Sequence, residues 1–282
     1  MNIDPKIIKY LTQIYPGYKL KSQINEGEGS QTYVMDSNGS KQILRINNSN
    51  KGFFKDKLAY EKYRTSRLHV PKVISIDPVD DVFICISEYI EGTSYKKLNQ
   101  NNRLKYLDDL FLLHLELGKV ENLDINSNYS WKEFLLDVNK SSSWKMLAST
   151  TSFSIELANK LLDLIKNNLS LIPEKQNLVH GDFGYDNVII NQNNDLYLID
   201  WEFSIMGDSL FDIAWLQFWS SGINYLDHYE KFARQKQIDI SNFKKRIEVY
   251  SYYIALTSLE WYAESKNINR YSWLEDTVIK NI

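Results

Sequence analysis

The stretch HGDFGYDN at residues 180–187, followed by IDW at residues 199–201, decides how the rest of this chain is interpreted. It contains, in this order, the acid Asp182, the amide Asn187 and the acid Asp200. An Asp can accept the proton of an attacking hydroxyl, and amide and carboxylate oxygens are ligands that Mg²⁺ accepts. Kinase-type phosphoryl transfer requires these roles, because its catalysis is mostly positioning and charge neutralisation. The motif therefore predicts a phosphotransferase.

Two short apolar runs surround a polar turn between Asn187 and Asp200. The runs at residues 187–190 and 196–199 are rich in β-branched and apolar residues, and NQNND at residues 191–195 separates them. This pattern predicts a β-hairpin with a longer loop, which would bring Asn187 and Asp200 near each other. Asp and Asn also favour turns, so each residue alone could serve only the loop. The complete set in this order favours the chemical interpretation.

The motif HGD at residues 180–182 with Asn187, together with the IDW motif that follows, resembles the aminoglycoside phosphotransferase and choline kinase superfamily. The resemblance implies that Asp182 is the catalytic base and that Asn187 and Asp200 bind Mg²⁺. It also implies that His180 supports the catalytic loop. A protein kinase would instead have Arg before the catalytic Asp and Phe-Gly after the second Asp.

The same resemblance implies a bilobal, protein-kinase-like fold of the α+β class. We predict an N-terminal nucleotide-binding lobe at residues 1–88, a hinge at residues 89–92, and a mainly helical catalytic and acceptor-binding lobe at residues 93–282. The first of these is expected to be a small antiparallel sheet with helices, because strand-like runs alternate with turn signals. These runs lie at about residues 18–25, 31–36, 42–47, 73–76 and 82–87, and helices are predicted from Asp4-Pro5 and over residues 51–67.

A glycine-containing turn in the N-terminal lobe indicates phosphate binding. NEGEGS at residues 25–30 lies where two predicted strands turn, and backbone N–H groups at Gly27, Gly29 and Ser30 could approach phosphates closely. An ordinary hairpin turn is the alternative for this stretch taken alone. The downstream motif favours the phosphate-binding interpretation.

Arg45, on a predicted strand between Leu44 and Ile46, is the candidate for the phosphate-binding role of the strand lysine in kinases. Arginine keeps its charge and offers a forked set of donors to phosphate oxygens. We expect Glu61 on the following helix to be its partner. Solvent exposure of Glu61, or a contact with Lys57, is the alternative. Lys41, at the start of the same strand, is the rival for the phosphate role.

The segment SEYIEG at residues 87–92 ends the last strand of this lobe. In the family the corresponding segment is the hinge, so the resemblance implies that Glu88 and Ile90 bind the nucleobase, mainly through backbone atoms. Because these contacts use backbone atoms, the side chains of Glu88 and Ile90 do not indicate whether ATP or GTP is preferred.

Further motifs are similar, in order and spacing, to the hygromycin B phosphotransferase branch of the family. They are EGE at residues 26–28, LR at 44–45, GFFKD at 52–56, CIS at 85–87, DFG at 182–184 and MGDS at 206–209. In the family, the second acid of the motif that begins at Gly207, here Asp212, braces the catalytic loop, and Asp208 is a plausible helix N-cap. The resemblance covers about residues 20–92 and 177–220, and it is weaker in the regions that build the acceptor pocket.

Aminoglycosides are polycationic sugars, so a pocket for them needs carboxylates and benefits from flat aromatic faces. The acidic and aromatic candidates are Glu202, Asp227, Glu260, Glu264, Trp215, Trp219 and Trp261. Glu202 is the best of them because it lies two residues after the predicted metal ligand Asp200. For the other acids a solvated helix face is the alternative, and for the aromatic residues it is core packing.

Composition narrows the class of protein. With 282 residues and 43% hydrophobic content, the chain can bury a core as one large or two small lobes. A net charge of −3 argues against a general nucleic-acid binder. The single cysteine, Cys85, lies in an apolar run, which excludes an intrachain disulfide and suggests a reducing compartment. No run approaches the ~18 apolar residues of a membrane span and no signal peptide is recognised, so a cytoplasmic protein is expected.

Together, these observations predict Mg²⁺-dependent transfer of the γ-phosphate of ATP or GTP to a hydroxyl of an aminoglycoside, with hygromycin B as the leading acceptor. A metabolic kinase acting on choline, a sugar or an amino alcohol is the first alternative. The second is a kinase of another antibiotic class, such as a macrolide or a cyclic peptide. The third is a nucleotide-binding pseudokinase, against which the complete set of Asp182, Asn187 and Asp200 argues.

Overall fold

The computed structural model describes residues 3–24, 30–120, 130–139, 143–174, 176–220 and 222–280. The chain divides into two compact units: the first contains Met1–Leu117 and Gly184–Ser204, and the second contains Gly118–Phe183 and Ile205–Ile282. The chain therefore returns to the first unit at Gly184. The predicted base, Asp182, belongs to the second unit, and the predicted metal ligands, Asn187 and Asp200, belong to the first. The lobe boundaries placed at residues 88 and 92 stay predictions.

The described strands follow one another along the chain as short segments. They are β1 (Lys19–Ile24), β2 (Gln31–Ser37), β3 (Ser40–Asn47), β4 (Val73–Val79), β5 (Val82–Glu88), β6 (Gly92–Ser94), β7 (Asn177–Val179), β8 (Val188–Asn191), β9 (Leu196–Leu198) and β10 (Ile205–Gly207).

The longest described helix, Phe243–Glu264 with 22 residues, belongs to the second unit. The described helices are α1 (Pro5–Ile14), α2 (Lys51–Leu58), α3 (Gln100–Lys105), α4 (Leu107–Leu117), α5 (Trp131–Leu136), α6 (Ser143–Thr150), α7 (Ile155–Asn167), α8 (Leu210–Phe218), α9 (Tyr225–Gln235), α10 (Phe243–Glu264) and α11 (Ile268–Ile279). None of the described helices is both long and apolar enough to cross a membrane.

The first unit contains the predicted antiparallel sheet, with strand order β1-β2-β3-β5-β4. Helix α1 begins as predicted, because the Asp4 side chain accepts a hydrogen bond from the Lys6 N–H at 2.8 Å and Pro5 opens the first turn. The buried residues that α1 and the sheet share are Ile3, Ile7, Leu11, Tyr33, Met35, Leu44, Ile46, Val79, Ile84 and Ile86.

A second, smaller core joins α2 to this unit. It contains Phe53, Val73 and the free thiol of Cys85, which is buried as predicted. Successive side chains of a strand point to opposite faces, so Arg45 lies on the other face of β3 from its neighbours Leu44 and Ile46. Its guanidinium carbon is 5.0 Å from the Phe53 ring centroid, which places Arg45 against α2.

The helix predicted at residues 51–67 ends earlier than expected. It is α2 followed by a π-helical turn, Ala59–Tyr63, and Arg64 turns into extended backbone. The predicted hairpin is confirmed as the antiparallel pair β8 and β9, which β6 extends to three strands.

The second unit is mainly helical around the buried helix α10, against which α7, α8 and α11 pack. Its only described sheet is the antiparallel pair of β7 and β10. Asp208 lies in its interior and accepts hydrogen bonds from the Arg246 guanidinium, the Tyr250 hydroxyl and the Leu210 N–H. The N-cap of α8 is Ser209 and not Asp208 as predicted, and the Asp208 carboxylate holds the N–H of the first helical residue from the position before the cap. Because β7 and α8 flank residues 180–183, this packing positions the HGD loop.

Candidate active site

The hairpin of the first unit places the two predicted metal ligands at the same end. Val188 of β8 faces Leu198 of β9, and the Ile199 N–H donates to the Asn187 carbonyl at 3.0 Å. Asp200 follows directly, with the left-handed φ of +64°. A non-glycine residue rarely adopts this conformation, and such residues concentrate at functional sites. The sheet register therefore places Ile199 opposite Asn187, and Asp200 follows one residue beyond, at the same end of the hairpin.

The donor atoms at this end of the hairpin suit magnesium. Asn187 and Asp200 offer amide and carboxylate oxygens, and Mg²⁺ usually takes one or two carboxylates together with substrate phosphates rather than an all-protein cage. Among the described residues there is no group of three or more His, Cys, Asp or Glu side chains placed to hold a metal. The residues thus fit a magnesium ion that is bound together with a nucleotide.

Arg45 forms a buried ion pair with Asp56 of α2. Burial lowers the pKa of Arg45, but the charge of Asp56 and the further acidic groups Cys85 and Asp200 raise it more, so the net pKa is raised above its ordinary value. Arg45 consequently stays charged. Its guanidinium also interacts electrostatically with the carboxylate of the predicted metal ligand Asp200.

The prediction that Glu61 is the partner of Arg45 is wrong. Glu61 is half-exposed and lies 3.9 Å from Lys57, its neighbour one turn earlier. Asp56 is buried together with Phe53, three residues before it on the same face of α2. Glu61 lies beyond α2 in the π-helical turn Ala59–Tyr63, and its ion-pair partner is Lys57 rather than Arg45.

The motif GFFKD at residues 52–56 holds the segment that follows Asp200. The second oxygen of Asp56, Oδ1, accepts a hydrogen bond from the Trp201 N–H at 2.9 Å. Lys55 Nζ donates to the carbonyl oxygens of Glu202 and Ser204 at 2.6 and 2.9 Å. Burial lowers the pKa of Lys55, and the charge of Glu202 opposes this shift.

Gly52 permits this close approach. A Cβ at this position would lie 3.0 Å from the Glu202 Cβ and 3.1 Å from Glu202 Oε2. A larger residue would therefore displace the segment from α2. Glu202, the leading acceptor-pocket candidate, lies against α2, and its role in acceptor binding stays a prediction.

In the second unit, α8 holds the HGD loop. The Asp212 carboxylate accepts hydrogen bonds from the His180 and Gly181 N–H groups, both at 2.9 Å. Gly181 has a φ of +85°, which only glycine adopts without strain. Burial raises the pKa of Asp212 to about 7, the two N–H groups lower it, and the charge of Asp182 raises it further. This geometry agrees with the bracing role that the family resemblance implies for Asp212.

The same helix contacts the predicted base directly. The Trp215 indole N–H donates to Asp182 Oδ1 at 2.6 Å. The backbone N–H of Asp182 donates to His180 Nδ1 at 3.3 Å, which fixes the loop from within. Sequence reasoning treated Trp215 as an aromatic acceptor candidate and missed this bond. The available signal was its spacing, three residues after Asp212 on one helix face.

Four predicted acceptor-binding residues of the second unit lie on α10 or pack against it: Trp219, Glu260, Trp261 and Glu264. The ring of Trp219 packs edge-on against Trp215 and Tyr262, with centroids 6.1 and 6.4 Å apart. Glu260 accepts a hydrogen bond from the Trp144 indole at 3.2 Å. Glu264 is exposed one turn further along α10, and the neighbouring Trp261 is half-exposed. These residues give α10 an acidic and aromatic face near its C-terminal end.

Asp227 has a structural role at the beginning of α9. Its backbone N–H and its carboxylate both bond to the side chain of Asn224, at 3.1 and 2.7 Å. This pattern is a helix N-cap at Asn224. It gives Asp227 a structural role that does not require contact with the phosphate acceptor.

The nucleotide-binding candidates of the first unit are described in part. Gly27 and Gly29 lie outside the described residues, and Ser30 directly precedes β2. Glu88 ends β5, and its N–H donates to the Lys72 carbonyl at 2.9 Å. A nucleobase contact from Glu88 would therefore use its carbonyl oxygen rather than its N–H. Ile90 follows directly after β5, and its nucleobase contact stays a prediction.

Comparison with known proteins places these features in a family. Residues 22–237 match the model of the family described as phosphotransferase enzyme family. The hygromycin-B 4-O-kinase of Escherichia coli is 23% identical over 97% of this chain and 84% of its own.

Solved structures share the fold of this chain. An aminoglycoside phosphotransferase APH(4)-Ia, crystallised with ADP and hygromycin B, has a TM-score of 0.83 and 21% identity over 96% of this chain and 97% of its own. The gentamicin complex of APH(2")-IIa has a TM-score of 0.70 and 20% identity over 99% and 97%. These similarities show a shared fold and confirm the predicted kinase-like α+β class.

Proposed function

Because this chain belongs to the phosphotransferase enzyme family, we propose that it transfers the γ-phosphate of ATP or GTP to a hydroxyl of an aminoglycoside. A hygromycin B-like compound is the leading acceptor. One observation carries the proposal: the hydrogen bond from the Ile199 N–H to the Asn187 carbonyl places Asp200 one residue beyond the partner of Asn187, at the same end of the hairpin, in a chain that aligns over 97% of its length with hygromycin-B 4-O-kinase. We place the reaction in the cytoplasm, where nucleoside triphosphates are made.

The reaction proposed is a single displacement. The acceptor oxygen forms a bond to the γ-phosphorus, the bond from that phosphorus to the β,γ-bridging oxygen breaks, and a nucleoside diphosphate leaves. Asp182 accepts the proton of the attacking hydroxyl. The hydrogen bonds of Asp212 and Trp215 to the loop of Asp182 support this assignment, because a general base needs a fixed position.

The other proposed site residues bind the nucleotide and compensate the negative charge of its phosphates. Asn187 and Asp200 would hold Mg²⁺, which when bound neutralises phosphate oxygens. Arg45 would bind phosphate oxygens with its guanidinium, and the ion pair with Asp56 orients that group. Gly27, Gly29 and Ser30 would add backbone N–H donors, and Glu88 and Ile90 would meet the nucleobase.

Two observations support the acceptor assignment: the relatives of this chain, and the acidic and aromatic face of α10. One relative is a hygromycin-B 4-O-kinase, and one related structure contains hygromycin B. Glu260 and Glu264 are four residues apart and share a helix face, which suits a polycation. We expect Trp219 and Trp261 to contribute to this recognition, and Glu202 stays a separate candidate for acceptor binding.

The test is a transfer assay with ATP or GTP and Mg²⁺ across hygromycin B, other aminoglycosides, choline, sugars and a macrolide. Asp182→Asn serves as the blank, because it keeps the size of the side chain and removes the proton acceptor. We expect turnover on an aminoglycoside and a loss of roughly 10²–10⁴-fold in the blank. Turnover on choline or a macrolide alone would assign another acceptor, and nucleotide binding without transfer to any hydroxyl would make the protein a pseudokinase.

A further inference from the structure

We propose that Trp215 is a positioning residue for the catalytic base, and that its indole N–H fixes the carboxylate of Asp182 for proton transfer. The inference rests on the proposed function and adds a residue to it. The observation is the hydrogen bond from Trp215 Nε1 to Asp182 Oδ1 at 2.6 Å.

Helix α8 holds the catalytic loop at two points. Asp212 accepts hydrogen bonds from the His180 and Gly181 N–H groups and so fixes the loop backbone. Trp215 is three residues further on, which places it on the same helix face. Its N–H reaches the side chain of Asp182. The backbone and the reactive side chain of one loop are thus held by neighbouring positions of one helix.

The indole of Trp215 is itself held in place by packing. The ring of Phe211, four residues earlier, lies 6.1 Å from it, and the ring of Trp219, four residues later, also lies 6.1 Å from it. A large aromatic ring between two others has few rotamers open to it. The donor therefore has a defined direction, which a flexible donor such as lysine would lack.

The chemistry of indole suits a positioning role. Indole N–H is a donor only, so Trp215 cannot take the proton that the acceptor hydroxyl releases. A hydrogen bond to an ionised carboxylate is shorter and stronger than one between neutral groups. Trp215 can therefore orient Asp182 and stabilise its ionised form without competing with it as a base.

The principal test replaces Trp215 by phenylalanine, which keeps an aromatic ring and removes the N–H. We expect kcat to fall by about tenfold to a hundredfold, the value of one hydrogen bond to a charged group, with the KM values for nucleotide and acceptor unchanged. A purely structural role would lower the melting temperature and leave kcat of the folded protein intact. A role in acceptor stacking would raise the acceptor KM and leave kcat intact, and either result would overturn the proposal.

Trp131→Phe is the matched control, because Trp131 also donates its indole N–H within the second unit, to the Tyr250 hydroxyl at 3.4 Å. It should lose stability and keep kcat. If Trp215→Phe fails to fold, β-(3-benzothienyl)alanine at position 215 keeps the bicyclic shape and replaces only the N–H by sulfur. The same fall in kcat is expected, and an unchanged kcat would overturn the proposal.

A spectroscopic measurement separates this inference from the proposed function. The ¹⁵N–¹H signal of the Trp215 indole should shift when Asp182 is replaced by alanine, and no shift would show that the hydrogen bond is absent in solution. Wild-type protein without turnover on any acceptor would refute the proposed function. Wild-type turnover with an unaffected Trp215→Phe kcat would refute the inference alone.

Discussion

Two buried acids, one in each compact unit, hold backbone next to a predicted functional residue. Asp56 accepts a hydrogen bond from the Trp201 N–H, directly after the predicted metal ligand Asp200. Asp212 accepts hydrogen bonds from two N–H groups directly before the predicted base Asp182. The two carboxylates perform the same local task on different elements, α2 and α8.

They differ in how their charge is compensated. Asp56 pairs with the guanidinium of Arg45, so two opposite charges are buried together. Asp212 is held by N–H dipoles, and burial raises its pKa to about 7. The comparison teaches that an acid can support a loop either as part of an ion pair or as a group close to losing its charge. Removing the charge should therefore cost much more stability at Asp56 than at Asp212.

Asp56→Ala should have the largest effect on stability. It leaves the Arg45 charge buried without its partner, which typically costs about 3–5 kcal/mol in free energy of unfolding. The measurement is urea denaturation of both proteins. Asp186→Ala is the control in the same unit, because its exposed ion pair with Lys96 at 2.9 Å should contribute no more than about 1 kcal/mol. Equal losses in the two variants would mean that the Arg45–Asp56 pair is solvated.

Lys55→Met tests the cationic part of the same arrangement. Methionine keeps the apolar stem and loses the bonds to the Glu202 and Ser204 carbonyls. We expect a loss of about 1–2 kcal/mol, since part of the cost of burying the ammonium, visible in its lowered pKa, disappears as well.

The control for Lys55→Met is Lys57→Met, which removes only the exposed contact with Glu61 at 3.9 Å and should cost about 0.3–0.5 kcal/mol. Urea denaturation measures both variants. A Lys57 effect as large as that of Lys55 would contradict the assignment of Lys55 as the residue that holds residues 202–204.

Asp212→Asn should cost less stability than Asp56→Ala. Asparagine is uncharged like the protonated carboxyl, but its amide nitrogen accepts no hydrogen bond, so one of the two backbone N–H groups loses its acceptor and at pH 5 we expect a loss of about 1–2 kcal/mol. The folded-state pKa of about 7 lies above the unfolded value of 3.8, so the folded state binds more protons in between. Stability from this group is present below pH 3.8 and is lost as pH rises through about 7.

The measurement for Asp212→Asn is the free energy of unfolding from pH 5 to pH 8. The wild type should lose stability relative to the variant over this range, because asparagine does not titrate. Parallel curves for the two proteins would show that Asp212 does not titrate in this range and that its charge is compensated as fully as that of Asp56.

Much of this site could be predicted from the sequence because its signals are local. The β8–β9 hairpin follows from apolar runs and a polar turn, and its register places Asn187 and Asp200 at the same end of the hairpin. The beginning of α1 at Asp4-Pro5 follows from capping chemistry in the same way. Motif order was sufficient for the fold class, which the related structures confirm.

The partners across the fold could not be predicted in this way. Asp56 and Glu61 both follow Arg45 on helical sequence, and only the packing of Phe53 shows which acid is buried. The Trp215-to-Asp182 bond joins residues 33 positions apart and depends on how α8 packs behind the loop. Such contacts are fixed by tertiary packing: the spacing of Asp212 and Trp215 shows that they share a helix face, but it does not show what that face contacts.

The reaction rate of the Cys85 thiol is the most sensitive local measurement for comparing Asp56 with Asp212. Burial raises the pKa of its thiol to about 11, and Arg45 only partly opposes this. At pH 8 the fully buried native thiol should therefore react with a disulfide reagent at least about a hundredfold more slowly than the urea-unfolded chain. Asp56→Ala should increase the rate, because it destabilises the part of the first unit in which Cys85 is buried. Asp212→Asn should leave the rate unchanged, and a rise in both variants would show that the thiol reports only global unfolding.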